Sequence, residues 1–429
     1  MTRNNIVGVP LRWLFMAALV LLFLGSSSAL GWIGLSVDDP RAGLLERLHP
    51  SFYLVLPLLI FKVLSKGKMD WTPVSGEATS LVRGHVGLRR AFSSHALIVL
   101  VAIAASVLGI THGSVANTAT TFLLAILCAI GISSLSLREL QRIRNILLLL
   151  LLANSLLGIV EKTTGFRLFT YTVAGIEKLY DPRPTAWFSH PLNNALLTAL
   201  VLTYLLFAKA RRQFQIYRFM MIAVHAFALL CFGGRTAVVV LIGLVVLDYA
   251  LSAGRTAVTR RGAIALGFKT GVITASFGVL VLLAASGFLD DIILGRFLDD
   301  GGSANVRWST LAIVREFDFE DALLGLGRDA LIQLMAYYGI PNIELSWLLL
   351  VLTHGTLVGA SLLITLLLLL FRASRSLDAP TGYMILVFVI VTFGYTSFGT
   401  SSLLLAQLAT MIAAFTGTNF RYMEARKCG

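Results

Sequence analysis

Residues 145–160 read NILLLLLLANSLLGIV, and runs of this kind recur along the whole 429-residue chain. In lipid, which offers the backbone no hydrogen-bond partner, such a run must pair its own N–H and C=O groups, leaving only an α-helix or a closed barrel. The runs lack the alternation that barrel strands require and lie between basic flanks, so they predict helices. About 20 apolar residues cross a hydrocarbon layer of roughly 30 Å. On that length twelve spans are expected, at 13–35, 50–64, 93–111, 115–136, 145–160, 188–208, 219–234, 236–253, 263–289, 343–371, 381–397 and 401–418. The second and fifth are short. With 57% hydrophobic and 13% charged residues, a soluble fold is excluded. The first run, Leu14 to Leu35, is too long for a signal-peptide core and lacks a small-x-small cleavage site, so it counts as a span. Cys128, Cys231 and Cys428 fall in spans or the tail, and no disulfide is expected.

Charge tests that count. If both termini are cytoplasmic, alternate connections should be basic. The segments 62–90, 138–144, 209–218 and 255–269, together with Arg3, Arg12, Arg372, Arg375, Arg421, Arg426 and Lys427, place 24 of the 35 Lys and Arg on one side. The acids do the reverse, with 16 of 22 opposite. The net charge of +13 therefore reflects topology and anionic headgroups, and nucleic acid is not needed to explain it. The expected fold is an all-α polytopic membrane protein of about twelve helices with both termini cytoplasmic. It divides into N-terminal spans (1–160), an external loop (161–187), central spans (188–289), a large external loop with short helices (290–342) and C-terminal spans with a tail (343–429).

One arginine tests the spans. In LLCFGGRTAVVVLIGL, Arg235 interrupts some thirty-five apolar or small residues whose two flanks are both basic. The chain must cross an even number of times between those flanks, so Gly233-Gly234 is the natural break between two helices. Arg235 then lies at the external turn of a tight hairpin, where its charge escapes the bilayer centre. In the large loop, Ser303 or Asn305 can cap an amphipathic helix carrying Trp308, Leu311, Ile313 and Val314. Gly325 and Gly327 mark a turn before a second helix at 328–338.

The external side also gathers chemistry. Arg183, Arg235, Arg307 and Arg328 all fall there, and a guanidinium grips phosphate oxygens in pairs while staying charged. Arg183 and Arg328 serve equally well as solvated loop charges or snorkelling anchors. Glu344 opens the tenth span at the external boundary, where partial dehydration favours a proton acceptor, although an acid at a helix start is also common. His190 with Asn193 and Asn194 can line a saccharide site or cap a helix. Trp308, Tyr337, Tyr338 and Trp347 can stack on sugar faces or anchor at the interface. His354, about ten residues into the tenth span, is expected about 15 Å deep and in an interhelical hydrogen bond.

The order of RPTAWFSHPLNNALLTALV, GGRTAVVVLIGLV, a long loop with RW and LLGLGRDAL, then IELSWLLLVLTHGTLVG resembles the O-antigen ligase and Wzy-type polysaccharide polymerase superfamily, over residues 180–360. The resemblance implies an inverting, metal-independent and cofactor-free glycosyltransferase of the bacterial inner membrane. Its donor would be an undecaprenyl-pyrophosphate-linked saccharide at the periplasmic face. Arg235 and Arg307 would contact the pyrophosphate, and Glu344 would be the base, standing where the ligases carry a histidine. That glutamate is similar to the exopolysaccharide-polymerase branch and favours lipid-linked repeats as acceptor, with a chain-length regulator or export machinery as further partners. The alternatives are a ligase acting on lipid A-core and a flippase.

Overall fold

The computed structural model describes residues 4–35, 37, 43–64, 86–133, 135–170, 172–173, 176–177, 183–208, 215–256, 303–340, 343–394, 398 and 400–416. The span expected at 263–289, the loop start 290–302, the basic stretch 65–85 and the tail from 417 lie outside the described residues. The helices are α1 (Asn4–Leu24), α2 (Ser27–Trp32), α3 (Pro50–Leu64), α4 (Val86–Val107), α5 (Val115–Ile132), α6 (Leu137–Thr164), α7 (Pro191–Phe207), α8 (Gln215–Phe232) and α9 (Arg235–Thr256). After them come α10 (Ser303–Ile313), α11 (Phe319–Leu324), α12 (Arg328–Tyr337), α13 (Ser346–Ser376), α14 (Ala379–Phe393) and α15 (Leu404–Thr416). The described residues hold one ladder, β1 (Thr172–Val173) against β2 (Ile176–Glu177). The architecture is that of an α-helical membrane protein. Among the described residues five helices are long and apolar enough to cross a bilayer: α4 from Arg90, α5, α6, α8 and α13.

Helix α15 sits at the centre, packed on α1, α5, α6 and α14, and α7 is flanked by α6, α8, α9 and α14. Helix association in lipid relies on close packing at small residues more than on expulsion of water. Gly158 on α6 takes the ring of Phe232 from α8, and a methyl built there would lie 2.4 Å from ring carbons. Gly158→Leu should therefore cost about 1–3 kcal/mol and lower the thermal unfolding midpoint in detergent; an unchanged midpoint would show that this contact carries no weight. Tyr204 stacks on Phe415 at 4.3 Å, tying α7 to α15. Inside α5, Ala119–Leu123 form a π turn. One residue of that turn, Thr121, donates to Thr400 O (2.9 Å) and accepts from Ser402 N (3.1 Å), which holds the chain between α14 and α15.

The described connections at 25–35, 43–49, 108–114, 165–170, 183–190, 233–234, 303–340, 343–345 and 400–403 share one face, called here the loop face. His49 Nε2 bonds Gly25 O at 2.8 Å, and Arg47 donates to Asn117 Oδ1 at 3.1 Å. Gln407 Nε2 donates to Leu22 O, Ser346 Oγ to Thr392 O and Leu326 N to Leu352 O.

Several expected boundaries move. The first span is two helices, because Ser26 caps α2 after a break at Gly25. The stretch 138–144 is no connection. Ser136 and Glu139 form a capping box that starts α6 there, so Arg138, Arg142 and Arg144 lie on its first turns and the short fifth span becomes 28 residues. The largest correction is α13. Its 31 residues are two helices meeting at Gly355, with φ 77° and ψ 164°. They fold back on each other, since a methyl on Gly359 would sit 2.7 Å from Leu350 O. The segment 346–354 is thus a half-helix on the loop face, and 356–376 is long enough to span.

The loop helices cover this half-helix. Ile313 of α10, Leu331 of α12, Ile340 and Ile343 bury against Leu348, Leu349 and Leu352, and partly buried Trp347 packs on the same cluster. The expected apolar face of α10 is rotated. Ile313 and Thr310 are buried, whereas Leu311, Val314 and Trp308 are exposed, Trp308 to 73%.

Candidate functional site

The loop face is organised around residues 183–190, RPTAWFSH. This stretch bends sharply without glycine, with Ala186 at φ 39° and Ser189 at φ 60°, left-handed values that L residues adopt at a cost. Buried side chains from two helices, α6 and α7, hold it there. Glu161, near the end of α6 and only 3% exposed, accepts from Leu168 N (2.9 Å), Thr185 N (2.9 Å) and Ala186 N (2.8 Å). Asn154, two turns earlier, accepts from Trp187 N (2.9 Å) and donates to Asn194 Oδ1 (2.9 Å). Asn194 of α7 donates to Thr185 O and His190 O (2.5 and 3.0 Å). The Trp187 indole reaches Leu24 O at the end of α1 (2.9 Å), and Thr185 Oγ1 donates to Phe169 O.

His190 then starts α7. Its Nδ1 accepts from Leu192 N at 3.2 Å, and Pro191 fills the first helical position. Gly233, at φ 67°, and Gly234 make the turn between α8 and α9. A methyl on Gly234 would lie 2.4 Å from Ala195 Cβ, so only glycine allows this approach to the first turn of α7. Arg235 follows directly as the first residue of α9, half-buried, in a helix with no acid in its first turn. The hairpin expected from the sequence is present, and it sets Arg235 beside the start of α7. Arg183 and His190, both half-buried, flank the same tethered loop.

The other expected residues lie on or near the half-helix. Glu344 is half-buried between two anchors, the buried Ile343 and Ser346, whose hydroxyl donates to Thr392 O at 2.8 Å. Helix α14, which carries Thr392, packs on α7 and α9, so it joins the elements of Glu344 to those of Arg235 and His190. Arg307 is on α10 and Arg328 opens α12, but their side chains lie outside the described residues. Tyr338 donates to Glu316 Oε1 at 2.5 Å, a bond that raises the phenol's pKa and commits its hydroxyl away from a ligand.

Two expectations change. Asn194 is fully buried with its amide engaged, so it shapes the site without lining it; Asn193 beside it is half-buried. His354 is not deep in a span. It ends the half-helix, its ring fills the space over Gly113, and its Nε2 meets Thr118 Oγ1 at 3.2 Å near the loop-face start of α5. The expected interhelical hydrogen bond is there; the depth is not. The residues that the sequence reading missed are Glu161 and Asn154. Their signal was an acid and an amide in the last three turns of an apolar helix, where an unpartnered polar group is costly. No family model matches the chain, and no curated protein matches it either.

Proposed function

We propose that this protein is a metal-independent glycosyltransferase of the bacterial inner membrane, with its loop face periplasmic, that polymerises saccharides carried on a lipid pyrophosphate. The observation that carries the reading is Arg235, placed at an acid-free helix start directly after two glycines, the second of which packs on Ala195 near the start of α7. A helix N-terminus and a guanidinium together attract a phosphate oxygen.

In this reading Arg235, with Arg307 from the loop helices, holds the pyrophosphate and stabilises the charge that grows on it as the anomeric bond breaks. Glu344 takes the proton from the acceptor hydroxyl as its oxygen attacks the opposite face of the anomeric carbon, so the new bond forms with inversion. The fixed backbone on both sides of Glu344 suits a base that must keep one position. Arg183 and Arg328 support the phosphate or the sugar, and His190 and Asn193 lie around the saccharide, with Trp308 and Trp347 at its edges.

Purified protein in liposomes, given the lipid-linked repeat alone, should yield a ladder of products. Product that appears only after lipid A-core is added would make the protein a ligase, and none with either acceptor would overturn the reading. EDTA should leave the ladder unchanged; loss that a divalent ion restores would remove the metal-independent mechanism.

A further inference from the structure

Loops of ordinary composition relax, so a bend that stays strained needs something to hold it. Between Thr185 and His190 two non-glycine residues have positive φ, and the hydroxyl of Ser189, 5% exposed, has no hydrogen-bond partner. Each of these features disfavours the observed conformation. Opposing them is one carboxylate. Both oxygens of Glu161 are used, Oε1 on Leu168 N and Oε2 on the consecutive amides of Thr185 and Ala186, the second of which is itself strained. Hydrogen bonds to a charged acceptor are the stronger kind.

We infer that Glu161 is a positioning residue: its carboxylate holds the 183–190 loop in its strained bend, and that bend presents Arg183 to the pyrophosphate of the donor and His190 to its saccharide. This deepens the proposed function and rests on it for the identity of the ligand. Glu161 itself is buried beneath the loop and touches no substrate. Its neighbours divide the work. Asn154 takes the amide of Trp187, Asn194 holds the carbonyls of Thr185 and His190, and the Trp187 indole ties the loop to α1, but the consecutive amides of Thr185 and Ala186 are held by Glu161.

The test compares wild-type protein with Glu161→Gln, Glu161→Asp and the triple variant Glu161→Gln/Ala186→Gly/Ser189→Gly. Glutamine keeps the size but turns one acceptor into an N–H donor facing an N–H; aspartate keeps the charge but is one methylene short. Amide hydrogen exchange at 185 and 186 should be about ten- to hundredfold faster in both single variants, the range expected for losing bonds to a charged group. Affinity for undecaprenyl pyrophosphate should fall at least tenfold, while exchange in α13 to α15 stays as in the wild type. The glycines relieve the positive-φ strain, so the triple variant should recover much of both losses. Wild-type exchange and affinity in Glu161→Gln would overturn the inference, as would a triple variant no better than the single one. Failure of the wild type itself to bind undecaprenyl pyrophosphate would sink the proposed function instead, and the exchange measurements would still decide whether Glu161 holds the bend.

Discussion

Arg235→Ala is expected to abolish glycan transfer from a protein that still folds and inserts. The side chain leaves the start of α9 after a turn whose shape is set by Gly233 and Gly234, so its removal does not disturb the approach of Gly234 to Ala195. On the proposed mechanism, what is lost is charge stabilisation on the departing pyrophosphate. Removing one preorganised group of this kind lowers turnover about a hundred- to a thousandfold. Arg235→Lys keeps the charge but not the planar pair of donors, so it should recover only part of the activity. Reconstituted protein with lipid-linked repeat gives the measurement, with thermal unfolding as the control. A folded Arg235→Ala protein that builds chains at the wild-type rate would remove Arg235 from the mechanism.

Gly355→Ala carries the largest expected structural effect. At φ 77° and ψ 164° this residue occupies a region essentially reserved for glycine. An added methyl would lie 2.0 Å from Leu323 O, against the end of α11. The facing residue, Gly325, has φ 89° and ψ 163°, and a methyl there would lie 2.6 Å from Gly355 N, so backbone meets backbone on both sides. Strain and clash together should cost about 3 kcal/mol or more. The bonds at this junction, Leu326 N to Leu352 O and Thr356 Oγ1 to Ala322 O, should open with it. Faster hydrogen exchange at 319–327 and a lower unfolding midpoint are the expected readouts. A variant with wild-type protection there would mean that the fold-back does not depend on these two glycines.

How much of this was legible in the sequence varied with the range of the forces involved. Helix α3 runs over the expected residues 50–64, and the break at Gly233-Gly234 follows from basic flanks and a glycine pair. Both are local or topological facts. The start of α6 was also written locally, as Ser136-x-x-Glu139, but the charge of Arg138, Arg142 and Arg144 outweighed it in a reading by hydropathy. The fold-back at Gly355 was not legible. A single glycine is common inside spanning helices, and only contact with Gly325, thirty residues earlier, turns this one into a hinge. Glu161 looked like an ordinary loop acid beside Lys162 because the amides it collects come from 24 and 25 residues further on. At the site, the residue types pointed to Arg235, Arg183 and His190, but the part played by Asn194 depended on its burial.

Helix α6 also serves as a ruler for depth. The Arg142 guanidinium lies 5.1 Å from the Trp13 ring centre, a pairing typical of the water–lipid boundary on the basic side. Counting up α6 at 1.5 Å per residue, Glu161 is about 28 Å above that level and Asn154 about 18 Å. With α6 set along the bilayer normal, the chain that binds both would descend roughly 10 Å from the far boundary, and Trp187 would reach the level of acyl chains. Such irregular backbone survives at that depth only when protein surrounds it. A molecule tethered in the leaflet by a polyprenyl tail would accordingly come in from the side, sliding within the plane of the bilayer.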